Sequence, residues 1–318
     1  MSPDRPDVSA IVVSFNTREL TLAALASVEA QEGVRTETWV VDNASSDGTA
    51  DAVRRGHPSA HLLALEENVG FGRANNLAME RAAGRHLLLL NSDARFAEPG
   101  GLRRLVDALE AEADVGVVGP RLESPAGRLE YSARRFAGSR TELLRRTPIH
   151  RVLAPRGGPE RLLGDAWPHD RRRDVDWLTG ACLLVRRGVV EDAGGFDPAI
   201  FMYGEEQEWC WRVRKAGWRV VFDPFVTVVH LRGASSLERA GWRARRAVEG
   251  DRYMIRRHRG ALALAAFDAA RGVALATEWL VHRTLDALRP SDYHRARWRD
   301  ARLLLGAWWG ALRGSAEP

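Results

Sequence analysis

The chain has 318 residues, 45% hydrophobic and 28% charged, an ordinary globular composition with room for one large α/β domain plus an appendage. Its two cysteines, Cys182 and Cys210, can build neither a disulfide framework nor a CxxC metal site, so both read as buried thiols of a reducing compartment. The net charge of +5 belongs to the C-terminus: residues 236–318 hold 16 Arg and no Lys against 9 Asp plus Glu, a net of +7, which leaves −2 for the rest.

The chain begins with a polar, Pro-containing stretch, 1–7, without a basic region followed by an apolar core, so no secretory signal is expected. Residues 9–14 are almost continuously apolar, as a strand covered on both faces would be. A helix is predicted over 20–30, a strand over 38–42, a capped turn at 45–48 and a helix over 49–55. A strand at 61–65, a helix at 72–83, a strand at 86–91, a helix at 102–112 and a strand at 115–118 follow. Repeated βα units imply an α/β fold, a mostly parallel sheet with helices on both faces.

Residues 124–174 lose that rhythm and read as a variable loop region. Order returns with a strand at 181–185, a turn at 194–198, a helix at 206–216 and strands at 218–222 and 226–230. From 237 onward the text is helical and Arg-rich, with Trp242, Trp279, Trp298, Trp308 and Trp309 spread through it. No uncharged run reaches the roughly 18 residues that span a bilayer. The best stretch, 261–288, is broken by Asp268, Arg271, Glu278, His282 and Arg283. Two readings of the tail are open: helices packed over the sheet, or a peripheral contact with an anionic surface, membrane lipid or nucleic acid, since Arg faces interleaved with Trp suit interfacial helices. No base-reading motif is present, so nucleic acid is not an expected partner.

Two acidic sites carry the chemistry. Asp93 ends the apolar run 86–90 within Asn91-Ser92-Asp93, and a carboxylate at the carboxyl end of a buried strand lies where open α/β sheets bind ligands. It can hold a hard divalent cation against a diphosphate. The second site, Glu205-Glu206-Gln207-Glu208, opens a helix and can take a proton from an attacking hydroxyl. Acids also favour a helix N-terminus for its dipole alone, but that does not account for their place after Phe201-Met202-Tyr203. Gly70 and Gly72 form a turn that allows close backbone approach to a nucleotide. It is not a dinucleotide fingerprint, whose third glycine would fall at Asn75.

Seven segments, in this order and spacing, resemble the family-two inverting glycosyltransferases of the GT-A fold, in particular the rhamnosyltransferase-like branch. They are IVVSFN (11–16), VVDNASSDG (40–48), ENVGFGRANN (67–76), LLLLNSDA (87–94), GACLLVRR (180–187), GGFDPAIFMYGEEQEWCWRVRKAGW (194–218) and VVHLRGAS (228–235). The resemblance implies a Rossmann-like GT-A domain over 1–235, with a nucleotide-binding half at 8–123 and an acceptor half at 175–235. Residues 236–318 form a helical extension outside the shared motifs.

By the same resemblance, Asp42 contacts the base or ribose of the nucleotide, with a helix N-cap as the competing role. Val13, Ser14 and Asn16 flank the base with their backbone. Asn68, Gly72, Asn75 and Ser92 line the nucleotide, Asn75 having a helix cap as its alternative. Asp176, Trp177 and Gly180 line the sugar and acceptor side, and for Trp177 plain core burial stands equally open. Asp93 is the expected ligand of Mg²⁺ or Mn²⁺, with His230 reaching the metal or the leaving diphosphate. Glu206 is the expected general base and Glu205 its rival, because relatives read Glu-Asp-x-Asp where this chain reads Glu205-Glu206-Gln207-Glu208. Arg212 and Arg232 are open between phosphates and the acidic cluster.

The activity so implied is transfer of a sugar, rhamnose by preference, from a dTDP- or UDP-linked donor to a glycan or polyprenyl-linked acceptor in cell-surface polysaccharide synthesis. The expected place is the cytoplasm, at the inner face of the cell membrane. A donor such as galactofuranose or N-acetylglucosamine, and a non-catalytic nucleotide-sugar-binding protein, are the alternatives.

Overall fold

The computed structural model describes residues 5–147, 167–231 and 240–313. The chain divides into two compact units: Met1–Arg134 with Pro168–Phe201 and Glu205–Leu237, and Arg135–Trp167 with Met202–Gly204 and Glu238–Pro318. The second unit thus includes two short stretches, Arg135–Trp167 and Met202–Gly204, in addition to the C-terminal extension.

The first unit is built on one mixed sheet. In chain order its strands are β1 (Val8–Ser14), β2 (Thr36–Asp42), β3 (His61–Ala64), β4 (His86–Asn91), β5 (Ala94–Phe96), β6 (Val115–Glu123), β7 (Leu129–Glu130), β9 (Arg173–Asp174), β11 (Cys182–Arg186) and β12 (Arg219–His230). β8 (Ala133–Arg134) and β10 (Trp177–Leu178) form a separate antiparallel pair. The spatial order is β3-β2-β1-β4-β11-β6-β12-β5, with β7 added on β6 and β9 on β12. β3, β2, β1 and β4 run parallel, as do β6 and β12. β11 runs against both its neighbours, β4 and β6. The amino end of β11 therefore lies at the carboxyl end of the parallel strands.

Alternation along β1 explains its burial on both faces. Val8, Ala10 and Val12 join a core with Ala24, Leu25 and Val28 of α1 (Arg18–Glu29) and Leu102, Leu105, Val106 and Leu109 of α4 (Gly101–Glu110). The other face is covered in part by α3 (Phe71–Met79), which packs on β1 through its buried Ala74 and Ala78 side. α2 (Thr49–Gly56), α6 (Arg187–Ala193) and α7 (Glu205–Lys215) complete the unit. The α7 ends match the helix dipole, with Glu205, Glu206 and Glu208 in the first turn and Arg212, Arg214 and Lys215 in the last.

Two sequence expectations change. The strands expected at 218–222 and 226–230 are one strand, β12, with a register shift between Asp223 and Thr227. Pro224 sits in that shift, since proline cannot donate to a ladder. The stretch 124–174 holds β7, β8, α5 (Ser139–Arg146) and β9, elements of two to eight residues that are too short to show a period; residues 148–166 of that stretch lie outside the described residues. β5, three residues long, was equally invisible.

Among the described residues the second unit contains α5, α8 (Ala240–Leu288) and α9 (Asp292–Arg313). α8 breaks at Gly260, which has φ 86° and ψ 177°. α9 runs back along α8: the Trp298 indole N–H donates to Asp286 at 3.2 Å, Arg297 pairs with Glu278, and Trp308 covers Gly272. A buried charge network ties the helices together. Arg271 meets Glu142 at 2.9 Å and Asp251 at 2.5 Å, while Arg146 reaches Glu142 at 3.1 Å and Glu278 at 3.0 Å. Burial pushes the Glu142 carboxyl up, but the charges of Arg271 and Arg146 outweigh it and hold its pKa at about 2. By length and composition alone α8 could cross a membrane; its best 18-residue window has a mean hydropathy of 1.3 and is 22% buried. No uncharged run of that length occurs in α8, which carries Asp268, Arg271 and Glu278 along it.

Candidate active site

Four parallel strands end at one edge of the first unit, and most of the expected site residues stand there. Ser14 closes β1, wholly buried, and its hydroxyl lies 2.7 Å from that of Thr21 and 3.1 Å from that of Thr17. Thr17 in turn donates to the Ser92 hydroxyl at 2.9 Å. Ser14 and Ser92 are thereby fixed by a hydroxyl cluster that joins the ends of β1 and β4. Val13 precedes them in β1, paired with Asn91 and Val41 on either side.

Asn16 adopts φ 53°, a left-handed conformation that asparagine tolerates. Its side-chain oxygen accepts from the Ser46 N–H at 2.7 Å, and the Ser45 hydroxyl accepts from the Asn16 N–H at 2.9 Å. Asn16 thus latches the β1 loop to the turn after β2. Asp42 ends β2 and is 4% exposed, with Oδ1 accepting from the Ser45 N–H at 3.2 Å. The N-cap alternative for Asp42 does not describe this geometry, because α2 begins at Thr49, whose N–H is taken by Asp47 at 3.1 Å.

The glycine turn serves the chain itself. Gly70 has φ 85°, and a Cβ there would stand 2.3 Å from the Phe201 carbonyl oxygen. The next residue, Phe71, donates its N–H to that same oxygen at 3.0 Å. A Cβ on Gly72 would meet the Phe196 Cβ at 2.9 Å. Both glycines thus permit close approach of the 196–201 segment. Asn68 accepts from the Gly70 N–H at 3.0 Å and from Asn43 at 2.8 Å, holding the turn. Asn75 is 1% exposed inside α3, and its amide donates to the Phe71 carbonyl one turn back at 2.9 Å.

Asp93 and His230 face each other. His230 ends β12, paired with Ala94, and its Nε2 lies 3.3 Å from Asp93 Oδ1. On its other side, Nδ1 lies 2.8 Å from Glu130 Oε2 in β7. Burial lowers the His230 pKa, but Asp93 and then Glu130 more than offset that and raise it. No motif in the sequence marks Glu130, which sits on a two-residue strand one hundred positions from its partner.

No three His, Cys, Asp or Glu side chains form a ready metal cage among the described residues. The pair Asp93 and His230 nevertheless fits a shared cation. Two adjacent ligands at about 2.1 Å from an octahedral ion stand about 3.0 Å apart, close to the distance here. A carboxylate on Nδ1 is the usual companion of a metal-bound imidazole, since it fixes the tautomer that presents Nε2. The buried Asn91 side-chain oxygen, two residues before Asp93, has no hydrogen-bond partner among the described residues and is available to a bound hydroxyl or water.

Glu206 reaches the same edge. The Gly180 N–H donates to Glu206 Oε1 at 3.3 Å. The following residue, Ala181, accepts from the Asn91 N–H at 3.0 Å. Two hydrogen-bonded steps therefore connect the Glu206 carboxylate to the end of the strand that leads to Asp93. Glu206 is half-buried, while its rival Glu205 is 4% exposed. Glu208 is wholly buried and held by Arg212 at 2.8 Å, with Arg212 also donating to the Gly195 carbonyl at 2.7 Å. That settles Arg212 on the acidic cluster. Arg232 lies outside the described residues. Asp176 takes a hydrogen bond from Arg214 at 2.5 Å, and Trp177, half-buried in β10, pairs with Arg134.

The profile of Glycosyl transferase family 2 matches residues 9–166. An N-acetylglucosaminyl-diphospho-decaprenol L-rhamnosyltransferase of Mycobacterium tuberculosis is 33% identical over 212 residues, 62% of this chain and 67% of the relative. The chain belongs to glycosyltransferase family 2. Succinoglycan biosynthesis protein ExoO of Rhizobium meliloti is 37% identical over 107 residues, 33% of this chain and 30% of that protein. The fold is similar to that of the mannosyltransferase PcManGT from Pyrobaculum calidifontis, solved with GDP-Man and Mn²⁺. Its TM-score is 0.63 at 21% identity, over 99% of this chain and 89% of that one. The expected GT-A architecture with a helical C-terminal extension is thus what the family-two chain adopts.

Proposed function

We propose that this family-two glycosyltransferase is an inverting, metal-dependent enzyme that transfers rhamnose from a dTDP-linked donor to a hydroxyl of a polyprenyl-diphosphate-linked glycan. The observation that carries the reading is the arrangement at one sheet edge: the facing pair Asp93 and His230, with Glu206 two hydrogen-bonded steps from the Asp93 strand. The choice of sugar and acceptor rests on the mycobacterial relative, whose name states both.

In this reading Asp42 accepts from the ribose or base, and the backbone of Val13, Ser14 and Asn16 borders the base. Asp93 and His230 would hold the cation, with Glu130 orienting His230, and a divalent ion such as Mg²⁺ or Mn²⁺ there would supply positive charge where the diphosphate departs. Glu206 takes the proton of the acceptor hydroxyl as that oxygen bonds to the anomeric carbon. The bond from that carbon to the diphosphate oxygen breaks with its electron pair, releasing the nucleoside diphosphate, and attack from the opposite face inverts the centre. Glu206 is favoured over Glu205 because it is the less buried of the two and faces Gly180.

The test is product analysis with dTDP-rhamnose, UDP-galactofuranose and UDP-N-acetylglucosamine, each given Mn²⁺ and an N-acetylglucosaminyl-diphospho-polyprenol. Transfer from dTDP-rhamnose with an inverted anomeric configuration is expected. Glu206→Gln should lower kcat by about 10²–10⁴-fold with nucleotide-sugar binding retained. Donor binding without turnover for all three sugars would instead mark a non-catalytic binding protein and overturn the reading.

A further inference from the structure

The second unit carries a set of charges and apolar side chains that its own fold leaves unused. Within the α8–α9 hairpin, arginines are mostly matched. Arg271 has Glu142 and Asp251, and Glu278 takes both Arg146 and Arg297. Near the hairpin turn the matching is partial: Arg295 reaches Asp286 at 3.8 Å and Asp292 at 3.4 Å. An open cavity of about 520 Å³ is lined there by Trp279, Arg283, Asp286, Ala287, Trp298 and Arg302. Its one carboxylate, Asp286, is already engaged by the Ser291 N–H at 3.1 Å and the Trp298 indole at 3.2 Å. Arg283 lies over the Trp279 ring at 5.1 Å and, like Arg302, makes no ion pair among the described residues. Two exposed guanidinium groups and two indoles therefore border a hollow with no anion of the chain's own assigned to them.

Beside the cavity runs an apolar face. Leu262, Val273, Leu280, Val281, Leu285 and Leu288 of α8 are all exposed, Leu262 by 88%, Leu288 by 73% and Leu280 by 59%. At 100° per residue these six fall within an arc of about 140°. The cavity positions Trp279, Arg283 and Ala287 fall on the adjoining arc, so cationic and apolar surfaces lie next to each other around the helix. Tyr293, at the start of α9, is 61% exposed at the same turn.

From this juxtaposition we infer that the α8–α9 hairpin docks peripherally on an anionic phospholipid bilayer, a headgroup phosphate entering the Arg283–Arg302 cavity and the Leu280–Leu288 face entering the acyl boundary. Charge complementarity selects the occupant. A phosphate satisfies two arginines at once, the indoles suit the headgroup level, and the adjoining leucines require a chain attached to that phosphate. Docking is peripheral because the same helix buries Arg271 and Glu278 in the charge network of its own unit.

The test is flotation of the full chain with vesicles of phosphatidylcholine alone or with phosphatidylglycerol added. Binding is expected only with the anionic lipid, falling as salt rises. The double variant Arg283→Gln/Arg302→Gln should weaken it by roughly 30-fold, at about fivefold per arginine near a charged surface. Leu280→Ser/Leu288→Ser should weaken it by at least about tenfold through lost apolar burial. Both variants should keep their thermal unfolding temperature and their transfer to a soluble acceptor, so failure of docking and failure of the proposed activity are read separately. Equal binding to neutral vesicles, or unchanged binding of either variant, overturns the inference. So does stabilisation by inorganic phosphate as large as that by anionic vesicles, which makes the cavity a free-anion site. Lipid-free self-association abolished by Leu280→Ser/Leu288→Ser would assign the face to a second copy, and resistance to extraction at high pH would make α8 a spanning helix.

Discussion

Glu130 gives the sharpest test of the metal site, because no sequence motif points to it. Its carboxylate accepts from His230 Nδ1 at 2.8 Å, and His230 Nε2 faces Asp93 at 3.3 Å. If Nε2 is to bind a cation, the ring must carry its proton on Nδ1, and Glu130 is what holds it there. Loss of such a companion typically costs 10–100-fold in metal affinity, about 1.4–2.7 kcal/mol. Glu130→Gln keeps an oxygen for the Nδ1 proton but loses the charge, so it should fall near the tenfold end. Glu130→Ala loses both and should approach one hundredfold. The assay is titration of Mn²⁺ in the presence of nucleoside diphosphate, read by the electron paramagnetic resonance signal of free Mn²⁺, which needs no turnover. Glu110→Gln is the control. Glu110 makes the same kind of contact, 2.9 Å from His86 Nε2, but at the opposite end of β4. If both Glu130 variants bind Mn²⁺ within twofold of the parent protein, the assignment of His230 as a ligand fails.

Other consequences concern stability. Gly70→Ala places a Cβ 2.3 Å from a backbone oxygen at φ 85°, so the turn must move and release the Phe71–Phe201 hydrogen bond. The backbone strain alone should cost about 1–3 kcal/mol, seen as a lower urea midpoint, and an unchanged midpoint refutes the stated role of the turn. Glu142 links stability to pH. Its folded pKa of about 2 lies below the ordinary 4.5, so its contribution is fully present above about pH 4.5 and is lost as pH falls toward 2. The shift corresponds to about 3 kcal/mol. Glu142→Gln should therefore flatten the acid limb of a plot of unfolding free energy against pH, and an unaltered slope would count against the buried network as its source.

The sequence alone showed the βα rhythm of residues 8–123 and marked the chain positions where candidate site residues would fall. Runs such as 9–14 and 86–91 are apolar throughout because both faces of those strands are covered, and that regularity is local enough to read. Asp42 and Asp93 were legible for the same reason, since the end of an apolar run marks the end of a buried strand. Only the tertiary structure could decide matters that depend on partners distant in the chain. Glu130 acquires its role from a strand pairing that brings it to His230. Gly70, which by pattern suits a nucleotide, is required by the approach of Phe201, and Arg212 is taken up by Glu208. Glu205 and Glu206 are chemically identical neighbours, and only the rotation of α7 against Gly180 distinguishes them. The basic C-terminus is the same case in charge: the net excess is written in the composition, but which arginines are already matched by carboxylates follows from how α5, α8 and α9 pack.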